Sequence, residues 1–445
     1  MLKSTTIIAL LMIPVLCSAL EIWVPDDQPT IQAAMDTATE GDSVVLRCGT
    51  YYEWDIQYKP NTTLRSENGD PSCVTIDAAG KGRCLAILHD HNRDSLQAWI
   101  EGISFINGDA RLSEPSWGGA VYCDYDAEFS FTNCHFENNQ ATSGGAVSVY
   151  WASVADFNGC SFRKNSAMHS GGAVMGSGGT VRFYDCFFEE NQAQSDGGAI
   201  RGSATYYGGY VYAYDTVFRN NQAVDAGGAL FTMHGGLGRE LGSNPDGRDP
   251  NPTIENCLFI GNQATYGGAV YTFYGGRYYS HCHFEDNTGI QGGAVHSVYI
   301  DVRHGRSCDY FEKCSFLNNS GSEGALLFVE GYSSPYLVNS LVVGHNTELV
   351  AGELWFEEPP IFLCCNIFGN HGGNWTGLIA DLLGIDGNIS LDPLLCPGSG
   401  NGSAYLQSDS PCAEGNNPEC GQIGAWGVGC TAARATSWSQ LKSMY

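Results

Sequence analysis

Apolar and polar positions between Cys134 and Phe316 follow one recurring phrase: Cys-x-Phe-x-x-Asn, then a small residue, then Gly-Gly-Ala and an aliphatic residue. Copies start at Cys134, Cys160 and Cys186, 26 residues apart, and carry Phe136, Phe162 and Phe188 with Asn139, Asn165 and Asn191 in the same places. Later copies keep Asn221, Asn262, Asn287 and Asn319, while Thr216 and Ser340 stand where the cysteine would be. A period near 26, short Val/Phe/Tyr-rich runs and no helical periodicity predict an all-β solenoid with three short strands per coil, each pairing with its equivalent one turn away. The cysteine and phenylalanine lie two apart on one strand face and stack inward on their counterparts. The asparagine suits a bent backbone and the Gly-Gly a tight turn. These ladders read as structure: Thr216 and Ser340 replace the cysteine without disturbing the phrase, and a neutral amide is ordinary turn chemistry.

Both ends of such a stack need covering, because a bare terminal coil exposes apolar core and an unpaired strand edge. At the start, Thr30 caps a predicted helix whose Ile31, Ala34 and Ala38 lie on one side, followed by a strand over Asp42–Leu46. The organisation expected is a cap and first strand over 20–50, coils over 51–390, a closing segment over 391–430 and a tail over 431–445. Lys3, the apolar run Ile7–Leu16 and the small residues Ser18 and Ala19 predict a secretory signal over 1–19. The mature chain is expected to be secreted or held at the cell surface, with no later apolar run long enough to span a membrane. Trp438, Leu441, Lys442 and Tyr445 make the tail a candidate sorting segment.

Charge narrows the partners. With 48 acidic and 21 basic residues and a formal charge of −27, the chain is a poor match for nucleic acid, and carbohydrates or cations remain open. Of 18 cysteines, Cys396, Cys412, Cys420 and Cys430 cluster in a Gly/Pro/Ser-rich segment where disulfides are expected, with three pairings possible. Cys48, Cys73 and Cys84 are candidates to staple the first coils. Cys364 and Cys365 are adjacent, so at most one of them points inward.

Val24-Pro-Asp-Asp27, Pro29-Thr-Ile-Gln-Ala-Ala34, Gly41-Asp-Ser-Val-Val45 and Gly49-Thr-Tyr51 resemble the opening of secreted bacterial right-handed parallel β-helix proteins of the pectate-lyase-like superfamily. The Phe-x-x-Asn units with their Gly-Gly-Ala partners are similar to the repeats of chlamydial polymorphic outer membrane proteins. The segment Ile423-Gly-Ala-Trp-Gly-Val-Gly-Cys430 is similar to the last coil of exported β-helix proteins. The resemblance implies a single-stranded right-handed parallel β-helix with a recognition, adhesion or structural role, glycan binding included. The alternative it implies is a polysaccharide lyase or glycoside hydrolase working in a lateral cleft. The Asn-Thr-Asp signature of galacturonan hydrolases is missing, and the one Asp-Asp pair, Asp26-Asp27, falls in the cap.

Spacing locates the expected site. From the alanine of Gly-Gly-Ala to the next anchor the compact coils use 13 or 14 residues, but 17 follow Ala199, 28 follow Ala229 and 20 follow Ala294. These insertions leave the coil at one phase and are expected to wall a shared cleft. Tyr206, Tyr207, Tyr210, His234 and Tyr299 are the ligand-binding candidates, since aromatic faces beside polar groups suit sugar rings. Asp246, Asp249, Asp301 and Arg303 are the catalytic candidates, as acids and bases in the same insertions. No cofactor motif is present; Ca2+ in acidic turns is the one metal the composition suggests. The pair His89 and His91 lacks a third ligand and reads as structural.

Overall fold

Apolar residues at alternate positions of short runs, repeated once per coil, are buried together when each run pairs with its next copy. The computed structural model describes residues 19–88, 96–203, 209–233, 253–274, 276–300, 309–355, 359–400 and 402–430, and the protein is an all-β, right-handed parallel β-helix. Among the described residues, three sheets of 13, 12 and 11 strands run along it. Sheet A runs from Glu21–Val24 to Ile361–Leu363, sheet B from Gly49–Tyr51 to Asn366–Phe368, and sheet C from Ile56–Gln57 to Val350–Leu354. Each coil visits A, B and C in that order, and successive strands within each sheet pair in parallel.

Stacking of equivalents fills the lumen. Phe136, Phe162 and Phe188 pair in register, with ring centroids 4.8 and 4.5 Å apart. A second column from sheet A, Phe131, Phe157 and Phe183, packs edge-on against the first. The anchor cysteines serve the corner between A and B. One residue there takes a left-handed conformation, with φ of 49° at Asn133 and 52° at Asp185. The next side chain turns back to the carbonyl two residues before it: Cys186 Sγ donates to the Tyr184 carbonyl at 3.3 Å, and Thr216 Oγ1 to that of Tyr214 at 3.0 Å. A small S–H or O–H donor is what the position requires, which explains Thr216 and Ser340. Burial pushes the Cys160 thiol far up, so it stays protonated.

The asparagines form a continuous internal chain. Asn165 Nδ2 donates to the Phe136 carbonyl at 2.9 Å and to Asn191 Oδ1 at 3.0 Å, and Asn191 Oδ1 also accepts the Asn165 backbone N–H. The same set recurs from Asn139 to Asn319. The left-handed residue is the one before, as at Asn138, Lys164 and Glu190, so the asparagine satisfies the bend without adopting it. In the next coil His345 takes the same place: its backbone N–H donates to Asn370 Oδ1 at 2.9 Å, and its ring nitrogens lie 3.2 and 3.3 Å from the Asn319 and Phe316 carbonyls. Burial holds its pKa down to about 4, against the pull of those carbonyls. In each Gly-Gly, the first residue needs a positive φ, 63° at Gly144, and the second faces the next coil so closely that a Cβ on Gly145 would lie 2.1 Å from the Gly172 oxygen.

The ends differ from one another. The helix Ile31–Thr37, capped by Thr30 Oγ1 accepting from Ala33 N–H, buries Ile31, Ala34 and Met35 against the first coil. At the other end the 3-10 turn Gly377–Leu382, with Ile379, Trp375 and Leu382, packs on the core. The segment 391–430, expected from sequence over that open end, lies instead along the outer face of sheet B. There Ala404, Ala425 and Trp426 cover a stripe of Phe187, Val217, Leu258 and Leu317. Ala425 N–H donates to Ser315 Oγ at 2.9 Å and Gly402 N–H to Glu285 Oε2 at 2.5 Å, which fixes the register of the strap. Its disulfides follow from this path. Cys396 pairs with Cys430, Cys420 with Cys364, and Cys412 is free and buried, so the four-cysteine cluster makes only one disulfide within itself. Cys48 pairs with Cys73, leaving Cys84 free, and Cys365 continues the inward ladder.

Candidate functional site: the outer face of sheet C

The three insertions leave at one corner, after the sheet C strands Ile200–Ser203, Leu230–Met233 and Val295–Tyr299 and before the next strand of sheet A. Beside that corner is the outer face of sheet C. Because strand side chains alternate, the first outward position of each strand lines up with its copies: Tyr122, Ser148, Met175, Arg201, Phe231, Tyr271, His296 and Phe328. This row is long, aromatic and cationic. Arg201 lies over Phe231, Phe231 stacks on Tyr271 at 5.2 Å, and Tyr271 meets His296 at 4.9 Å. Farther along the same face, toward the first coils, a cleft of about 330 Å³ is lined by Asp55, Gln57, Lys81, Arg83 and Glu114.

Two clusters of titratable groups sit on the row. Arg201 Nε is 3.7 Å from Asp196 Oδ2, across the rim formed by the preceding turn. Burial, with Asp225 adding repulsion, raises the Asp196 carboxyl, and Arg201 only partly opposes it. Three coils after Arg201, His296 Nε2 lies 3.5 Å from Glu330 Oε2, close enough for charge coupling and too long for a strong hydrogen bond. Tyr266 meets the imidazole edge-on at 5.7 Å. Burial lowers the His296 pKa despite Glu330, so the imidazole is neutral at neutral pH, while contact with His296 lowers Glu330. Burial, reinforced by Glu330 and Asp196, pushes the Tyr271 phenol up and keeps it protonated. His296 is 2 % exposed, whereas the Glu330 side chain is 38 % exposed and opens to solvent.

Among the sequence candidates, Tyr206, Tyr207, His234, Asp246, Asp249, Asp301 and Arg303 lie outside the described residues, as do His89 and His91. Tyr210 is half-buried, 6.4 Å from Tyr212 at the start of a sheet A strand. Tyr299 is buried edge-on to Tyr274, so its ring presents no face to a ligand. The tyrosines outside sheet A, Tyr278, Tyr310 and Tyr336, stack on one another at 5.5 and 5.8 Å, which occupies the faces a sugar would need. Sequence reasoning missed Arg201 and Glu330. The signal for Arg201, as for His296, is an outward position, the second residue after Gly-Gly-Ala, that carries a long or aromatic side chain in coil after coil, whereas Glu330 stands in register with Val298 and has no such signal. Among the described residues Cys48, Glu67 and Cys73 group closely enough to suggest a metal, but both sulfurs belong to a disulfide and Glu67 is engaged by Arg47.

The chain matches the family model described as right-handed beta helix region over residues 119–301. A solved structure of a mutant of the PL6-family alginate lyase AlyGC aligns with a TM-score of 0.43 at 13 % identity, covering 92 % of this chain. The chain spans 57 % of the length of that lyase. A search of curated proteins finds no match. Among the described residues no helix is long and apolar enough to cross a membrane.

Proposed function

We propose that the protein is an exported carbohydrate-active β-helix that lays an extended polysaccharide along the outer face of sheet C and cleaves it by elimination beside His296. The observation that carries this reading is the cluster itself: a neutral imidazole, a protonated phenol and a carboxylate on successive coils next to the corner where the insertions leave. Elimination from a uronate removes the proton on the carbon next to the carboxylate, forms a carbon–carbon double bond and breaks the bond to the glycosidic oxygen, which then takes a proton. His296 supplies the base and Tyr271 the acid, with Glu330 orienting the imidazole. Basic residues are scarce in this chain, yet Lys81, Arg83 and Arg201 lie on this face, where they meet the carboxylates of an acidic glycan.

A second reading, recognition without turnover, is favoured by the depth of His296. The experiment that separates the two incubates the full chain with a panel of uronate-containing and neutral polysaccharides, with and without calcium. Bound glycan and the ultraviolet absorbance of unsaturated ends are recorded for wild type, His296→Gln, Tyr271→Phe and Arg201→Met. Product lost in His296→Gln and Tyr271→Phe supports elimination at this site. Saturable binding without product supports recognition, and product that survives both substitutions removes His296 and Tyr271 from the chemistry.

A further inference from the structure

Apart from the asparagine ladder most of the lumen is apolar, and one further stretch is not. On the inner face of sheet C the column Val149, Gly176, Gly202 gives way in successive coils to Thr232, Thr272 and Ser297. Facing this column, at the start of adjacent sheet A strands, stand Arg277 and Asp309, with Tyr279 two residues after Arg277. Arg277 is 1 % exposed and Asp309, Tyr279 and Thr232 not at all. Arg277 N–H donates to Asp309 Oδ1 at 3.0 Å, but the guanidinium does not close a pair with that carboxylate. Among the described residues no acceptor reaches Nε, Nη1 or Nη2 of Arg277, and the hydroxyls of Tyr279, Thr272 and Thr232 are equally without a partner.

The groups share one corner. Burial pushes the Asp309 carboxyl up to about 6, with Ser297, the Arg277 N–H, the Arg277 charge and Thr272 pulling the other way, and the Tyr279 phenol responds to Asp309, Arg277 and Thr272. They are therefore near enough to act on one another's charge without closing hydrogen bonds. A guanidinium taken from water with no acceptor costs several kcal/mol. Asp309 offsets part of that as a neighbouring charge, and the unpaired donors outnumber the acceptor atoms: one carboxylate oxygen and three hydroxyl oxygens stand against the guanidinium N–H groups and the three hydroxyl protons.

We propose that this corner of the lumen binds a small oxyanion of the carboxylate, phosphate or sulfate class, held by the Arg277 guanidinium and the hydroxyls of Tyr279, Thr272 and Thr232. The site is inside the coil and is separate from the outer row of Arg201, Tyr271 and His296, so it stands whether or not the glycan reading does. Its ligand supplies the acceptors these donors need, and a bound oxyanion ties adjacent coils together from within.

The test titrates the full chain, dialysed free of oxyanions, with sulfate at constant ionic strength while binding is followed by calorimetry, and inspects selenate-soaked crystals for anomalous density. The expected result is a binding isotherm that saturates, with density within hydrogen-bond distance of Arg277. Asp309→Asn, which removes the one opposing charge, lowers the half-saturating concentration by roughly tenfold, and Tyr279→Phe raises it. Arg277→Met abolishes the saturable response. The proposal is overturned if wild type shows no saturable response, if Arg277→Met or Tyr279→Phe leaves it unchanged, or if the selenate density at Arg277 is absent.

Discussion

Acid should weaken this fold at one identifiable residue. His345 occupies the ladder position that asparagines fill in the coils before it, and burial holds its pKa down to about 4 against an ordinary 6.5. The unfolded chain then binds the proton more readily than the folded one. The stability that neutral His345 contributes is complete above about pH 6.5 and is lost progressively as pH falls toward about 4. At about 1.4 kcal/mol per pH unit that interval amounts to about 3 kcal/mol. Asparagine at this place cannot titrate, so His345→Asn isolates the effect from the many carboxylates that protonate over the same range. Stability should be compared between wild type and His345→Asn by urea unfolding from pH 7 to pH 4, with the imidazole signal followed by NMR. Wild type should lose about 3 kcal/mol relative to the variant over that interval. Parallel pH curves for the two proteins, or an imidazole that titrates near 6.5 in the folded state, would refute the reasoning.

In the same ladder, Asn191→Ala strands the Phe162 carbonyl and the Asn165 backbone N–H in the lumen and should cost about 3 kcal/mol or more, read from denaturant midpoints. Cys160→Ser should be close to wild type, because a hydroxyl makes the corner bond as Thr216 does, whereas Cys160→Val should lose about 0.5–1.5 kcal/mol with that bond, the Asn158 carbonyl keeping the Asn133 N–H; thermal melting separates the two. Trp426→Ala removes the ring that meets Tyr405 at 5.0 Å and His283 at 6.3 Å, and should loosen 391–430 before the coils melt, seen as early proteolysis within that segment and dye binding to the uncovered stripe.

What was legible in the sequence is what repeats. The phenylalanine, cysteine and asparagine columns announce themselves because each coil imposes one environment on one phase of the period, so the parallel β-helix and its inward faces follow from spacing alone. The path of 391–430 was not legible in that way, because it depends on a position that varies. Between the cysteine and the phenylalanine the outward residue is His135 and Ser161 early on, then Phe187, Val217 and Leu258, and that change to apolar side chains marks where something must dock. The cysteines of 391–430 pair as they do because that docking brings Cys420 to Cys364, a partner outside the cluster. For the candidate site, the insertions are legible as breaks in the spacing, while the row of Arg201, Tyr271 and His296 is visible only once strand register shows which alternate positions face out.

A stack in which each coil touches only its neighbours unzips one coil at a time, and force or thermal fraying at one end meets only the resistance of the next rung. The segment 391–430 changes that mechanics. By running back along sheet B from the Asn339 coil to those of Val217 and Phe187, with backbone bonds at Ser315 and Glu285, it loads many rungs in parallel, so peeling the last coil means shearing the strap off several coils at once. It also orders assembly: the surface it grips exists only after those coils have wound, so the strap is the last piece to lock and the first whose loss would return the molecule to rung-by-rung failure.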